Sequence, residues 1–359
     1  LSVNRFDPVS VDTFDVTVIP GWRRQVPGKS VTIRDVSKLA DVSVGTISNY
    51  LNATKGISPP TTARIEKAIR ESGFVPNMAV RVMKGHRSPT VALVVPDLGN
   101  PFFSEVAKGI EDVVAPAGLV VIACNAGGIA EREHAYLKTL GELRVTGALI
   151  TPTFVSDGEI SALASTGAAV VLLDERRPHL NLSSVTVNDF EGGRLVVEHL
   201  LKSGHRRITF VGGPAADLQV QNRYLGARQA IAEAGLEADV LNRIDTEGTD
   251  VASRSRTGDD IAQMPNRPTA LFCANDMIAL AIQGALGSRG LRVPEDVAIV
   301  GYDDIDQARL GSVPLTTVRQ PQYELGRIAA ELMLKEAKLG ESSVENINFQ
   351  PELVIRTSA

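Results

Sequence analysis

The stretch Thr32 to Asn52, reading TIRDVSKLADVSVGTISNYLN, constrains this chain more tightly than any other. Thr32 is placed to cap a first helix, and Asp35 three residues on makes the reciprocal half of a capping box. Ile33, Val36, Leu39 and Ala40 fall at helical spacing, which gives one buried face. Asp41 follows, a residue type that tolerates the left-handed backbone of a tight turn. Ser43 is a good N-cap for a second helix, Val44 to Leu51, whose Ile47, Tyr50 and Leu51 face back onto the first. Val44, Gly45, Thr46, Ser48 and Asn49 are left pointing outward. Two short helices, a tight turn and a small polar outer face describe a helix-turn-helix with its recognition helix. An ordinary helical hairpin shares the first two features, so the residues that follow decide between them.

Ser58-Pro59 is an N-cap with Pro at the first helical position, opening a third helix to about Ser72. Gly73 stops it, and Pro76 opens a short segment, Asn77 to Lys84. The residues TIRDVSKLADVSVGTISNYLN and then ISPPTTARIEKAIRESGFVPNMAVRVMKG resemble the family of the lac and gal repressors, a match running from about Val31 to the C-terminus. The resemblance implies an α/β protein: a three-helix headpiece, a hinge helix, and a two-lobed body with parallel sheets, like periplasmic binding proteins. The expected division is an extension at 1–30, a headpiece at 31–76, a hinge and linker at 77–88, and an effector-binding and dimerisation body at 89–359. A helix as short as Asn77–Lys84 is unstable alone in water, because nucleation is costly. In the family it folds on DNA against the partner subunit's hinge and places a Leu wedge where this chain has Met83. Met is an acceptable apolar wedge in a minor groove.

Charge is distributed to match. Residues 31–84 carry eight Lys/Arg and four Asp/Glu, a balance of +4, although the whole chain stands at −5. A basic headpiece on an acidic body orients the molecule toward phosphate without making its whole surface sticky. Aromatic content of 4 % argues against a broad stacking surface for single strands. No apolar run reaches the ~20 residues needed to span a bilayer, and no basic-then-apolar signal opens the chain. Cys124 and Cys273, far apart in apolar runs, make neither a disulfide framework nor a metal site, so the expected compartment is a reducing cytoplasm, near the nucleoid. Residues 1–30 show no helical or alternating pattern. Their Gly28-Lys29-Ser30 fails as a phosphate loop, because Arg23 stands where that motif needs Gly.

From Thr90 the period changes. Apolar runs at Val91–Val95, Leu119–Ala123, Ala148–Thr151, Ala169–Leu173, Ile208–Val211, Ala270–Cys273 and Val297–Val300 alternate with helical stretches such as Ser104–Ala115 and Asn222–Ala234. That alternation predicts parallel sheets covered on both faces, four runs in one lobe and three beginning a second. The helix from about Gln322 to Leu339 and the run Ile347–Ile355 are expected to return to the first lobe. Crossings between lobes are expected near Thr186–Asp189 and Thr317–Pro321.

Ligands of open parallel sheets bind beyond the carboxyl ends of the strands. Read off those ends, the candidates are Phe102, Phe103, Asp174, Arg223, Asn275, Asp303 and Gln320, with Arg223 opening the helix after the Gly212–Pro214 turn. Carboxylates accept from vicinal hydroxyls, Arg and amides complete the ring, and Phe covers a sugar's C–H face. The resemblance supports most of these positions, with Glu175 departing from the ribose type and Asp217 from the purine type. Each has a duller alternative: Asp303 or Asp276 as a helix cap, Arg223 as an ion-pair partner of Asp189, Phe102 as core against Val106.

No nucleotide, nucleophile or Cys/His motif supports an enzyme, and no cofactor or metal is expected. The expectation is a repressor, switched by a small sugar-like effector, that binds palindromic duplex DNA as a homodimer without an added tetramerisation helix. Thr32, Val44, Gly45, Thr46, Ser48, Asn49, Met83 and Lys84 are its candidate DNA-contacting residues. Asn49 is suited to paired hydrogen bonds on a base edge, and Lys84 and the helix N-termini to phosphate. The alternatives are a sugar receptor without DNA, an enzyme acting on a phosphorylated sugar, and a regulator answering a nucleobase or sugar phosphate.

Overall fold

The computed structural model describes residues 31–52, 56–75, 87–213, 217–339 and 344–359. The extension at 1–30 and the hinge bearing Met83 and Lys84 fall outside them. The chain divides into two compact units, Leu1–Ala79 and Val80–Ala359.

In the first unit the helices are α1 (Ile33–Leu39), α2 (Val44–Asn52) and α3 (Pro59–Ser72). The Thr32 amide and hydroxyl both donate to the Asp35 carboxylate, at 2.9 and 2.7 Å, the reciprocal bond expected of a capping box. Asp41 turns the chain with φ +51°, and Ser43 Oγ accepts from the Thr46 amide at 3.0 Å to start α2. Gly73, at φ +63°, ends α3. Val36, Ile47 and Ile65, one from each helix, form a core with Ala40 and Ala68, and Tyr50 and Leu51 pack against it. Leu39 departs from the expected face: it is 58 % exposed, while Val36 and Ala40 carry the buried stripe.

The second unit holds two six-stranded sheets. In one, β1 (Ser88–Val95), β2 (Val120–Asn125), β3 (Val145–Ile150), β4 (Ala169–Leu173), β5 (Ser183–Val187) and β11 (Asn346–Phe349) lie in the order β11-β5-β4-β3-β1-β2. In the other, β6 (Ile208–Gly212), β7 (Leu241–Asp245), β8 (Ala270–Cys273), β9 (Ala298–Asp303), β10 (Thr316–Arg319) and β12 (Glu352–Val354) lie in the order β12-β10-β9-β8-β6-β7. Each lobe therefore repeats one doubly wound order about its first strand, and only β12 runs antiparallel to its neighbour.

The structure corrects the sequence reading at three points. The run Ile347–Ile355 is not one strand returning to the first lobe; it breaks at Gln350-Pro351, so β11 joins the first sheet and β12 the second. That break is the third crossing between lobes, where Pro351 has no amide to continue a ladder. β5, β7 and β10 were not among the expected runs, because Ser, Thr, Asn and Arg interrupt their apolar character. In the second lobe, α7 (Leu218–Glu233) begins four residues earlier than Asn222, so Arg223 lies in its second turn. It is preceded by α4 (Pro101–Val114), α5 (Ala130–Glu142) and α6 (Asp189–Lys202), the last two flanking the short Asp157–Ser165 helix.

Helices α6 and α7 touch backbone to backbone. A Cβ at Gly193 would stand 1.9 Å from the Arg223 carbonyl oxygen, and one at Gly226 1.8 Å from that of Phe190. This approach sets Arg223 over Asp189. Gly226→Ala should therefore cost about 1–3 kcal/mol by forcing the helices apart. Gly284→Ala, in a helix with open space around that position, should be neutral or stabilising by up to about 1 kcal/mol. Paired urea melts read the contrast.

Candidate functional site

The carboxyl ends of β1, β3, β4, β6, β8 and β9 converge on a cleft enclosing about 890 Å³ of space, part of it open to solvent. All seven ligand candidates line it: Phe102, Phe103, Asp174, Arg223, Asn275, Asp303 and Gln320. Phe102 and Phe103 open α4, which Asn100 caps by accepting from the Phe102 amide at 3.1 Å. Their rings meet edge to face at 5.0 Å. Phe102 thus belongs both to the core and to the cleft wall.

Arg223 is held on several sides. Its Nε donates to Asp189 at 2.8 Å, its Nη1 to the Ala274 carbonyl at 2.6 Å, and its Cζ lies 3.6 Å from the centre of the Tyr302 ring. Burial works against its charge, yet Asp189, Tyr302 and Asp303 outweigh it and hold the guanidinium protonated. The ion-pair alternative and the cleft-lining role are therefore both met by one side chain.

Asp303 accepts from Asn100 Nδ2 at 2.9 Å and from Gln320 Nε2 at 2.7 Å, so it joins a lobe-one residue and a crossover residue to lobe two. Asn275 caps the following helix through the Ile278 amide at 2.9 Å and also lines the cleft. Asp276 has the structural role only: it accepts from Thr317 Oγ1 at 2.6 Å and the Ile305 amide at 3.0 Å, beneath the wall. Glu175 is taken up by Arg177 at 2.7 Å.

Sequence reasoning missed several lining residues. Asp97 and Arg254 join the lobes through an ion pair at 3.2 Å. Asn100 lies in the turn PDLGNPFF that leads to Phe102 and Phe103, and its place before Pro101 is an N-cap signature. Arg254 sits in a helix with a weak apolar pattern and gave no such signal. Asp217, Thr151 and Phe154 also line the cleft. The Thr153 and Phe154 amides are anchored by the buried Glu133 carboxylate at 2.9 and 2.8 Å. Among the described residues no His/Cys/Asp/Glu group is arranged to hold a metal.

The cleft carboxyls titrate high. Burial, reinforced by Asp189 and Asp303 and opposed by Arg223, pushes Asp174 up to about 7. Burial raises Asp217 to about 6, and Asp303 to about 6 against Arg223 and its two amide donors. Asp174 also has a left-handed backbone, φ +59°.

On the headpiece, Val44 and Gly45 are exposed at the start of α2, and Thr46, Ser48 and Asn49 are half-buried. Thr46 and Ser43 hydroxyls are 2.9 Å apart. Thr32 is exposed, with its hydroxyl engaged by Asp35.

Residues 32–77 match the model of bacterial regulatory proteins, lacI family, and residues 197–359 that of a periplasmic binding protein-like domain. The HTH-type transcriptional repressor PurR of Aliivibrio fischeri (strain MJ11) is 34 % identical over 330 residues, covering 91 % of this chain and 98 % of that protein. The chain belongs to the lacI family. Among solved structures, the lac repressor dimer bound to operator and an anti-inducer aligns with a TM-score of 0.76 at 26 % identity, covering 92 % of this chain and 99 % of that one. A lacI-family regulator from Enterococcus faecium with bound ribose aligns with a TM-score of 0.69 at 31 % identity, covering 75 % of this chain and 98 % of that one. The family member described here is a DNA-binding transcriptional regulator with an effector-binding body.

The raised carboxyls fix a sign for pH. Between about pH 4 and pH 7 the unfolded chain releases the Asp174 proton while the folded cleft keeps it, so ligand-free stability should fall with rising pH across that window. Asp174→Asn should flatten the slope and stabilise the ligand-free protein at pH 7.5 by about 1–2 kcal/mol, discounting for the part of the carboxyl open to the cleft. Thermal melts at several pH values measure both.

Proposed function

We propose that this regulator is a repressor that binds a palindromic operator as a homodimer and is switched by a polyhydroxylated effector, a sugar or nucleoside, held between the lobes. The observation that carries the reading is the convergence of Arg223, Asn275, Asp303 and Gln320 with Phe102 and Phe103 on one cleft. Buried donors and acceptors satisfied by ligand hydroxyls discriminate strongly, because a ligand lacking a hydroxyl strands its partner. The ribose-bound relative supports the polyol.

The rest of the proposal follows the chain. Residues 31–76 read the duplex, 77–88 are the hinge, and 89–359 sense and dimerise. Val44 meets a thymine methyl, Gly45 lets the backbone approach, Asn49 reads a base edge, and Thr46 and Ser48 contact the adjoining groove or backbone. Thr32 and Lys84 bind phosphate and Met83 wedges the central step of the operator. Effector-driven movement of the lobes changes operator affinity by a coupling free energy of ~1–3 kcal/mol. The protein works in the cytoplasm and turns over no substrate. A nucleobase effector is the second reading, favoured by the 34 % identity to PurR. Asp217 carries it poorly, since a carboxylate stands where the purine type has a second Arg.

Asn49→Ala should flatten operator preference by ten-fold or more in gel shift while effector affinity is kept. Asp303→Ala should abolish the effector response, read by calorimetry and operator release, with the body still folded. A melting-temperature screen of pentoses, hexoses, nucleosides, nucleobases and their phosphates selects the class. A shift given by nucleobases alone would overturn the polyol.

A further inference from the structure

The charge lining the cleft does not balance. Its described lining carries four carboxyls, Asp97, Asp174, Asp217 and Asp303, and two guanidiniums, Arg223 and Arg254. Arg254 is matched by Asp97, and Arg223 by Asp189 just behind the wall. Asp174, Asp217 and Asp303 are left without a cation of their own. Asp303 has the Asn100 and Gln320 amides. Asp174 and Asp217 receive no side-chain hydrogen bond among the described residues, and the Asp217 side chain makes no cap bond to the helix it precedes.

A buried hydroxyl stands beside these acids. Thr151 is 2 % exposed, lines the cleft, and its hydroxyl has no hydrogen-bond partner. It stands one residue past Ile150, which pairs with Leu172 on the neighbouring strand, so Thr151 and Asp174 leave adjacent strand ends on the same rim. A carboxylate and a hydroxyl side by side, both unpartnered, ask for a group rich in donors.

Three ligand charges can be compared. A phosphate or carboxylate would add a negative charge to a cleft that already has an excess. A neutral polyol supplies donors but leaves the excess in a low-dielectric site, where unpaired charge is costly. A protonated nitrogen supplies up to three donors, no competing acceptor and the missing charge.

Building on the polyol reading above, we propose that the effector carries a cationic nitrogen, as in an amino sugar or imino sugar, and that Asp174 and Thr151 receive it. Asp217, reaching in from the other lobe, and Asp303 add to the negative potential that favours the cation. Burial, with Asp189 and Asp303, raises the Asp174 carboxyl, and a cation beside it would offset that cost.

The test uses isosteric pairs and the full-length protein at pH 7.5: an iminoribitol against the matching anhydroribitol, and glucosamine and galactosamine against their parent hexoses and their N-acetyl derivatives. Calorimetry should find at least one amine binding ten-fold or more tighter than its neutral isostere. Asp174→Asn, which keeps the shape and tolerates a left-handed backbone, should erase ten-fold or more of that preference, and Thr151→Val should weaken the amine several-fold. Circular dichroism checks that both variants fold. Neutral isosteres binding equally or better throughout, or a sugar phosphate binding best, would overturn the cation. If a neutral sugar binds and Asn275→Ala abolishes it, the polyol cleft stands while the cation falls. If no amine, neutral sugar or nucleoside binds, both readings fall.

Discussion

Arg223 carries a charge around which the wall of the cleft is built. Two helices must touch at Gly193 and Gly226 for its backbone to reach that place, and Asp189, Tyr302 and the Ala274 carbonyl then fix its side chain. A buried guanidinium without such partners would be strongly disfavoured. With them, it becomes a rigid counter-charge that several carboxyls share. That sharing lets a small interior hold so many acids, and it leaves some of them unsatisfied. Fold and chemistry meet at this side chain: the glycines belong to packing, the ion pair to the wall, and the remaining negative charge to whatever enters.

The cleft also depends on the two lobes sharing one strand order. In each sheet the chain leaves the first strand to one side and returns on the other, which opens a crevice at the carboxyl ends. Facing two such crevices doubles the number of loops that can present polar groups to one small volume. The Asp97–Arg254 and Asn100–Asp303 contacts then join the lobes across it. These are polar contacts between residues on the rim, so a ligand competing for or reinforcing them acts directly on how the lobes are joined. Population shift requires such differential contact with the two states.

Much of this was legible from residues. Asp41, Ser43 and Gly73 announce their turns and caps through backbone chemistry, which is local, and the structure has them in those roles. Asp174, Asn275 and Asp303 are legible because they end or follow apolar strands, whereas Arg223 and Gln320 come from a helix start and a crossover between lobes. What stayed hidden was non-local. β5 and β10 are hydrogen-bonded inside sheets whose neighbours supply the burial that their own Ser and Thr do not. Arg254 reaches Asp97 across more than 150 residues of sequence, and no spacing rule relates them. Leu39 fails the opposite way: the helical period assigned it to the core, but the buried stripe runs through Val36 and Ala40 and leaves Leu39 at its edge, exposed.

The break at Gln350-Pro351 reaches beyond geometry. Because β11 and β12 close one edge of each sheet, neither lobe is complete until residues 346–354 have left the ribosome. The three-helix unit, whose core draws only on residues 33–74, has its own packing long before that. During synthesis the reader of DNA exists for a time before the sensor that governs it.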